Sequence, residues 1–149
     1  MNKDFLDILA SLLETGARFI VVGAHAMAVH GVPRATGDLD IWIQPTEDNV
    51  ARVWSALKRF GAPIESLSVS KDDLLSPDMV IQMGMPPRRI DLLTGITGVH
   101  FDSAWKTKVS HKIDSLNVPF LGREALIANK RATGRAKDIA DLETLEGRE

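Results

Sequence analysis

The stretch that decides the fold comprises residues 19–43 and reads FIVVGAHAMAVHGVPRATGDLDIWI. It begins with an apolar, β-branched run that ends at Gly23, which predicts a strand buried on both faces and then a tight turn. The alanine-rich residues 24–30 predict a short helix. In residues 38–43 the apolar side chains alternate, as they do along a strand with one buried face. The stretch therefore predicts a strand, a helix and a second strand in succession.

The flanking segments extend this pattern on both sides. Residues 4–13 have apolar side chains at helical spacing, and Thr46 begins a second amphipathic helix that continues to Gly61. Residues 79–83 and 89–93 predict a β-hairpin, residues 108–113 a weak strand and residues 114–117 a turn. Two short helices, 124–130 and 136–145, follow. We therefore expect one α/β or α+β domain over residues 1–149, a mixed β-sheet flanked by helices with short C-terminal helices.

The composition excludes several classes of protein. The 149 residues are 44% hydrophobic and 26% charged, as in globular domains, so a disordered or fibrous chain is excluded. A net charge of -2 and an aromatic content of 5% argue against a nucleic-acid-binding module without chemistry. Cysteine is absent, which excludes disulfides and thiolate metal sites. The apolar runs are far shorter than the ~20 residues that a bilayer requires, so we expect a soluble, cytoplasmic protein without a membrane partner.

Three aspartates form the candidate site. Asp38 and Asp40 are two residues apart on the predicted strand, so they project from the same face with Cα atoms about 6 to 7 Å apart. Asp91 lies between Ile90 and Leu92 on another predicted strand. If the two strands are neighbours, the three carboxylates meet at one face of the sheet. Two or three carboxylates at this spacing can share a hard cation such as Mg²⁺, which prefers oxygen ligands completed by water and phosphates.

Such a site suits the transfer of a nucleotidyl group from a nucleoside triphosphate, with two metal ions. Gly23 fits the same chemistry, because a glycine at a turn between strand and helix lets backbone N–H groups approach phosphate oxygens. Two other interpretations exist for the Asp-x-Asp pair. It could lie on the solvated face of a surface strand, or it could hold a sugar nucleotide in a glycosyltransferase, although those enzymes need a larger nucleotide-binding domain than this length provides.

The same residues resemble a known superfamily. Gly23-Ala24, a spacer of thirteen residues and then Asp38-Leu39-Asp40 look like the signature of the nucleotidyltransferases related to DNA polymerase beta. The fuller string GVPRATGDLD, residues 31–40, is similar to the AbiEii-type branch of minimal nucleotidyltransferases.

The resemblance implies a role for each matching residue. Asp38 and Asp40 would bind the metal ions, which would be Mg²⁺ or Mn²⁺, and Asp91 would complete the catalytic triad. The nucleoside triphosphate would contact the residues of the glycine motif, the preceding loop and a later lysine motif, namely Gly23, Ala24, Arg34, Thr36 and Lys130. Ala24 is a departure, because the family usually has Gly or Ser there.

Two further groups of residues carry alternative interpretations. Asp138 and Asp141, three residues apart on one helical face, could orient Lys130 or Arg135 by ion pairing, or could be ordinary helix-start and surface acids. Trp42 shares the predicted face of the acids, so it could border a pocket for a base or an acceptor, or it could simply pack. The histidines are poorly spaced for a zinc site.

From the residues and the resemblance together we expect a metal-dependent nucleotidyltransferase with a nucleoside triphosphate as substrate. The acceptor stays open between an RNA end such as that of tRNA, a protein and a small molecule, and so does the formation of a homodimer. The alternative is a catalytically inactive binding module of the same fold, or one component of a toxin-antitoxin pair with its cognate partner. Ala24 motivates this alternative, as does a chain shorter than the AbiEii toxins.

Overall fold

The computed structural model describes residues 1–32 and 37–147 and contains one six-stranded sheet. The strands are β1 (Phe19–Val22), β2 (Leu39–Ile43), β3 (Val80–Met83), β4 (Ile90–Leu93), β5 (Val109–Ile113) and β6 (Leu116–Phe120). The helices are α1 (Lys3–Glu14), α2 (Gly23–Val29), α3 (Glu47–Phe60), α4 (Ile64–Leu67), α5 (Lys71–Leu75), α6 (Phe101–Thr107), α7 (Arg123–Thr133) and α8 (Ala136–Leu145). The expected mixed sheet flanked by helices, with two short C-terminal helices, is confirmed.

The strand order of the sheet is β3-β4-β2-β1-β6-β5. Pairing is parallel between β2 and β4 and between β1 and β6, and antiparallel in the other three pairs. The predicted hairpin is therefore confirmed as β3 and β4. It lies beside β2, the strand that carries the Asp-x-Asp pair, so the sequence-distant acids meet through strand pairing.

Local sequence explains the long helices. The side chain of Thr46 accepts a hydrogen bond from the Asn49 N–H and caps the start of α3, and the helix ends at Gly61, whose φ of 84° is left-handed. Helix α3 buries Val50, Val53 and Leu57 and packs against α1 and β2. Each such side chain contributes about 1.5–3 kcal/mol when fully buried. These contacts hold β2 in the core of the sheet.

Two regions differ from the expectation, one between α3 and β3 and the other between β4 and α7. Residues 114–117 were expected to form a turn, but Leu116 and Asn117 belong to β6, and the turn is tighter, with Asp114 at a φ of 54°. The strand is hard to see in the sequence because it contains Pro119, which removes a backbone donor and usually marks an edge or a loop. Helices α4, α5 and α6 were also missed, since their four, five and seven residues are too few to show a clear helical period.

Within the described ranges of the chain, no helix combines the length and the apolar character needed to cross a lipid bilayer.

Candidate active site

The three aspartates meet where β2 and β4 begin. The two strands are parallel and in register, so Asp40 lies directly opposite Asp91, and Asp38 lies immediately before β2. Asp91 is buried at 7% exposure, and Asp38 and Asp40 are partly buried. The expectation that the strands are neighbours is confirmed. A solvated surface strand is excluded, because β2 lies between β1 and β4 and is buried along most of its length.

Arg89 is the charged partner of these acids, and the sequence reasoning missed it. Its Nε lies 2.8 Å from Asp91 Oδ1, and its Nη2 lies 3.2 Å from Asp91 Oδ2 and 3.3 Å from Asp38 Oδ2. Its backbone N–H also donates to Asp38 Oδ1 over 3.0 Å. Its position two residues before Asp91 was an available signal, because residues i and i+2 of a strand share a face.

Asp40 holds its proton more tightly than an ordinary aspartate. Burial, followed by the hydrogen bond and repulsion from Asp91 and repulsion from Asp38, raises the pKa of Asp40 to about 7, while Arg89 opposes the rise. Within the described part of the chain, one guanidinium faces three carboxylates and does not compensate their charge, so the site favours additional positive charge.

Gly23 closes one side of the site. It follows Val22, which pairs with Asp40, and its φ is 69°. A Cβ at this position would lie 2.2 Å from Asp40 Oδ2, closer than any real contact. Only glycine can therefore place the backbone of the turn against this carboxylate. Ala24 is the next residue of the same turn, in the first turn of α2.

Of the loop before Asp38, the structure describes Gly37 but not residues 33–36. Arg34 and Thr36, both expected to bind the triphosphate, lie outside the described residues. The described chain resumes at Gly37, directly before Asp38, and His25 lies on α2. Burial lowers the pKa of His25, so the ring is neutral near pH 7.

Lys130 belongs to a buried ionic cluster between α7 and α8. Its Nζ lies 3.3 Å from Asp138 Oδ1 and 3.1 Å from Asp141 Oδ2. Both carboxylates are buried, so ion pairing, and not a surface location, is the correct interpretation of these acids. Asp138 also accepts hydrogen bonds from Arg135 Nε and Thr133 Oγ1, each over 2.7 Å. The Arg135 side chain, ahead of the other donors, holds the pKa of Asp138 well below its usual range, although burial opposes it.

Trp42 is both a core side chain and the wall of a cavity. It is 1% exposed and packs edge-on against Phe101 at a ring distance of 5.1 Å. It lines a cavity of about 520 Å³ together with Thr94, His100 and other residues after β4. Its Nε1 is buried and has no hydrogen-bond partner among the described residues. Trp42 therefore packs in the core and also lines a cavity, two residues along β2 from Asp40.

The donor set suits a hard divalent cation. Three carboxylates at the starts of two adjacent strands supply the oxygen ligands that Mg²⁺ prefers. In the structure the Arg89 guanidinium pairs with two of these carboxylates, Asp38 and Asp91. Across residues 1–32 and 37–147, no three acidic or histidine side chains are placed to ligate one metal ion. The residues fit a divalent ion in charge and donor type, provided that the guanidinium gives way.

Comparisons with known proteins agree with this geometry. Residues 1–148 match the model of a family described as "Nucleotidyl transferase of unknown function (DUF2204)". A crystal structure of a protein from Thermotoga maritima, described as a "putative nucleotidyltransferase", is similar to this chain with a TM-score of 0.56 and 16% identity. The similarity covers 99% of this chain and 94% of that one, so the two share a fold. Among curated proteins none matches this chain significantly.

Proposed function

This chain belongs to the family of nucleotidyl transferases of unknown function, and we propose that it transfers a nucleoside monophosphate from a nucleoside triphosphate to an acceptor hydroxyl in a metal-dependent reaction. The observation that carries the proposal is the meeting of Asp38, Asp40 and Asp91 at the starts of β2 and β4, beside the Gly23 turn. Three carboxylates at a partly buried site, with one guanidinium beside them among the described residues, favour a further cation, and a metal-bound triphosphate supplies one.

In the proposed reaction, the hydroxyl oxygen of the acceptor forms a bond to the α-phosphorus. The bond between the α-phosphorus and the oxygen that bridges to the β-phosphate breaks, and pyrophosphate leaves. Asp38 and Asp40 would hold Mg²⁺, or Mn²⁺ in its place, and Asp91 would hold a second ion or accept the proton of the hydroxyl. Bound Mg²⁺ neutralises phosphate charge and makes a hydroxyl more acidic.

The remaining residues would bind the triphosphate. The backbone N–H groups of Gly23 and Ala24 lie at the turn beside Asp40 and can donate to phosphate oxygens. We assign Arg34 and Thr36 the same task from their place in the sequence. Lys130 would contribute an ammonium group, which Asp138 and Asp141 orient. The string in residues 31–40 supports placing the chain near the AbiEii-type branch.

The test is label transfer from each of the four triphosphates, labelled at the α-phosphate, in the presence of Mg²⁺ and a cell extract. We expect label in one class of acceptor, which separates RNA, protein and small molecules. The variant Asp40→Asn should fold and transfer no label. Equal labelling by the wild type and this variant would refute the proposal.

A second candidate function is that of an inactive binding module or one component of a toxin-antitoxin pair. Ala24 favours it, because the side-chain hydroxyl of a serine would be missing at the phosphate turn. ATP with Mg²⁺ separates the two candidates. At a concentration of ~100 Kd, a nucleotide that binds only the folded state stabilises it by about 2.7 kcal/mol, which raises the melting temperature. A module that does not bind nucleotide would show no shift.

A further inference from the structure

We propose that the Arg89 guanidinium is a built-in counter-ion that competes with the divalent metal for Asp38 and Asp91. While it is in place the metal is kept out, and it must leave these carboxylates before the metal can bind. This inference rests on the proposed function, because it concerns the metal that the three acids would hold. It assigns Arg89 a role in controlling metal affinity.

The first support is that the guanidinium uses the oxygens that a metal would need. Nε and Nη2 contact the two oxygens of Asp91 at 2.8 and 3.2 Å, which is a bidentate arrangement. The same Nη2 reaches Asp38 Oδ2 at 3.3 Å. A metal ion on Asp91 and a guanidinium in this position therefore compete for the same two oxygens.

The second support is that the side chain can leave without disturbing the strands. The contacts that tie β4 to the start of β2 are made by the backbone of Arg89: its N–H donates to Asp38 Oδ1 and its carbonyl accepts from the Leu39 N–H over 2.9 Å. The Arg89 side chain itself is 27% exposed, so part of it already lies at the surface. Moving the guanidinium outward would leave both backbone hydrogen bonds in place.

The third support is the balance of charge. Among the described residues, three carboxylates and one guanidinium leave more negative than positive charge at the site. A divalent ion neutralises more of this charge than a guanidinium does. The apparent metal dissociation constant is then the intrinsic constant divided by the fraction of molecules in which the acids are free of Arg89.

The experiment measures Mn²⁺ binding by the spin-resonance signal of the free ion, without nucleotide. The wild type is compared with Arg89→Gln, which removes the competing cation. Arg88→Gln is the matched control, because it removes the same charge from the adjacent, exposed side chain. We expect Arg89→Gln to bind Mn²⁺ at least about tenfold more tightly, equal to about 1.4 kcal/mol, and Arg88→Gln to change affinity by less than about threefold.

Each outcome decides a different point. Equal or weaker Mn²⁺ binding by Arg89→Gln, or an equal gain in Arg88→Gln, would overturn the inference and leave the proposed function standing. If neither the wild type nor either variant binds Mn²⁺, the metal-dependent function itself fails, and the inference with it. If Arg89→Gln does not fold in EDTA, Arg89→Lys replaces it: it keeps the charge but loses the bidentate fork, and we expect a gain of several-fold.

Discussion

Replacing Asp40 by asparagine should stabilise the metal-free protein, most strongly at alkaline pH. The folded state raises the pKa of Asp40 from 3.8 to about 7, because the group is partly buried beside Asp91 and Asp38. The folded state therefore binds the proton more tightly than the unfolded state. Stability must fall as pH rises from about 4 to about 7, and the full penalty is present above pH 7. Asparagine cannot ionise, yet it can donate to Asp91 as protonated Asp40 does.

The size of the effect follows from the pKa difference. Each pKa unit is about 1.4 kcal/mol, so the change from 3.8 to about 7 sets a ceiling of about 4 kcal/mol. Because Asp40 is only partly buried, solvent screening reduces the stabilisation expected from Asp40→Asn to about 1–2 kcal/mol. For a chain of this length we expect the melting temperature of Asp40→Asn at pH 8 to exceed that of the wild type by about 2–8 °C.

The assay is urea denaturation in EDTA between pH 4 and pH 8, followed by circular dichroism. Glu143→Gln, an exposed position on α8, removes the same charge and should change stability by less than about 0.5 kcal/mol. The advantage of Asp40→Asn should shrink as pH falls toward 4. An asparagine variant that is less stable than the wild type at pH 8, or whose advantage is independent of pH, would refute the reasoning.

Three further changes probe the turn, the ionic cluster and the cavity. Gly23→Ala should destabilise the protein by at least about 2 kcal/mol in thermal unfolding, because the added Cβ would collide with Asp40. The control Gly61→Ala places its Cβ in open space and should cost about 1 kcal/mol through the positive φ alone. Equal costs for the two variants would contradict the close approach of Gly23 to Asp40. Asp138→Asn should cost about 3 kcal/mol in the free energy of unfolding at pH 7, since it breaks a buried ion pair. This difference from the wild type should narrow as pH falls below about 4, because the Asp138 carboxylate of the unfolded chain then takes up a proton that the folded state, with its lowered pKa, still excludes. A difference that does not depend on pH in acid urea titrations would count against this. Trp42→Phe should cost only about 1–2 kcal/mol in chemical denaturation, because its indole N–H has no partner among the described residues to lose, and a larger loss would reveal a hydrogen bond to a group outside them.

The core of the site could be predicted because its residues repeat at the period of a strand. The alternation of Leu39 and Ile41 with Asp38 and Asp40 indicates a strand and places both carboxylates on one face. The position of Asp91 needed one further assumption, that its strand pairs with β2. The parallel register of β2 and β4 confirms it.

Arg89 shows where sequence reasoning stops. Its spacing from Asp91 places it on the same face, but a long arginine side chain can point into solvent or fold back over a neighbour. Only the pairing of β4 with β2 brings Asp38 within its reach. Likewise, Gly23 indicates a turn, while its contact with Asp40 depends on the antiparallel register of β1 and β2.

The regions that were missed lack a local signal. Strand β6 is short and contains Pro119, so its place beside β1 and β5 is decided by tertiary packing. Helix α6 has seven residues, too few for a clear period, and is held against the sheet by the edge-on packing of Phe101 against Trp42. The burial of Asp138 was also invisible, because buried and surface acids at helical spacing look alike in a sequence.

The most direct test of the account is a crystal soaked with Mn²⁺ and a non-hydrolysable ATP analogue, measured by anomalous scattering. We expect a manganese peak within ligand distance of Asp38 and Asp40. Asp91 should bind either a second manganese ion or the same ion through one of its carboxylate oxygens. The Arg89 guanidinium should be displaced from both Asp38 and Asp91. Manganese that binds only elsewhere in the protein would contradict the account. So would a nucleotide complex in which Arg89 still pairs with Asp38 and Asp91 and no metal ion lies among the three aspartates.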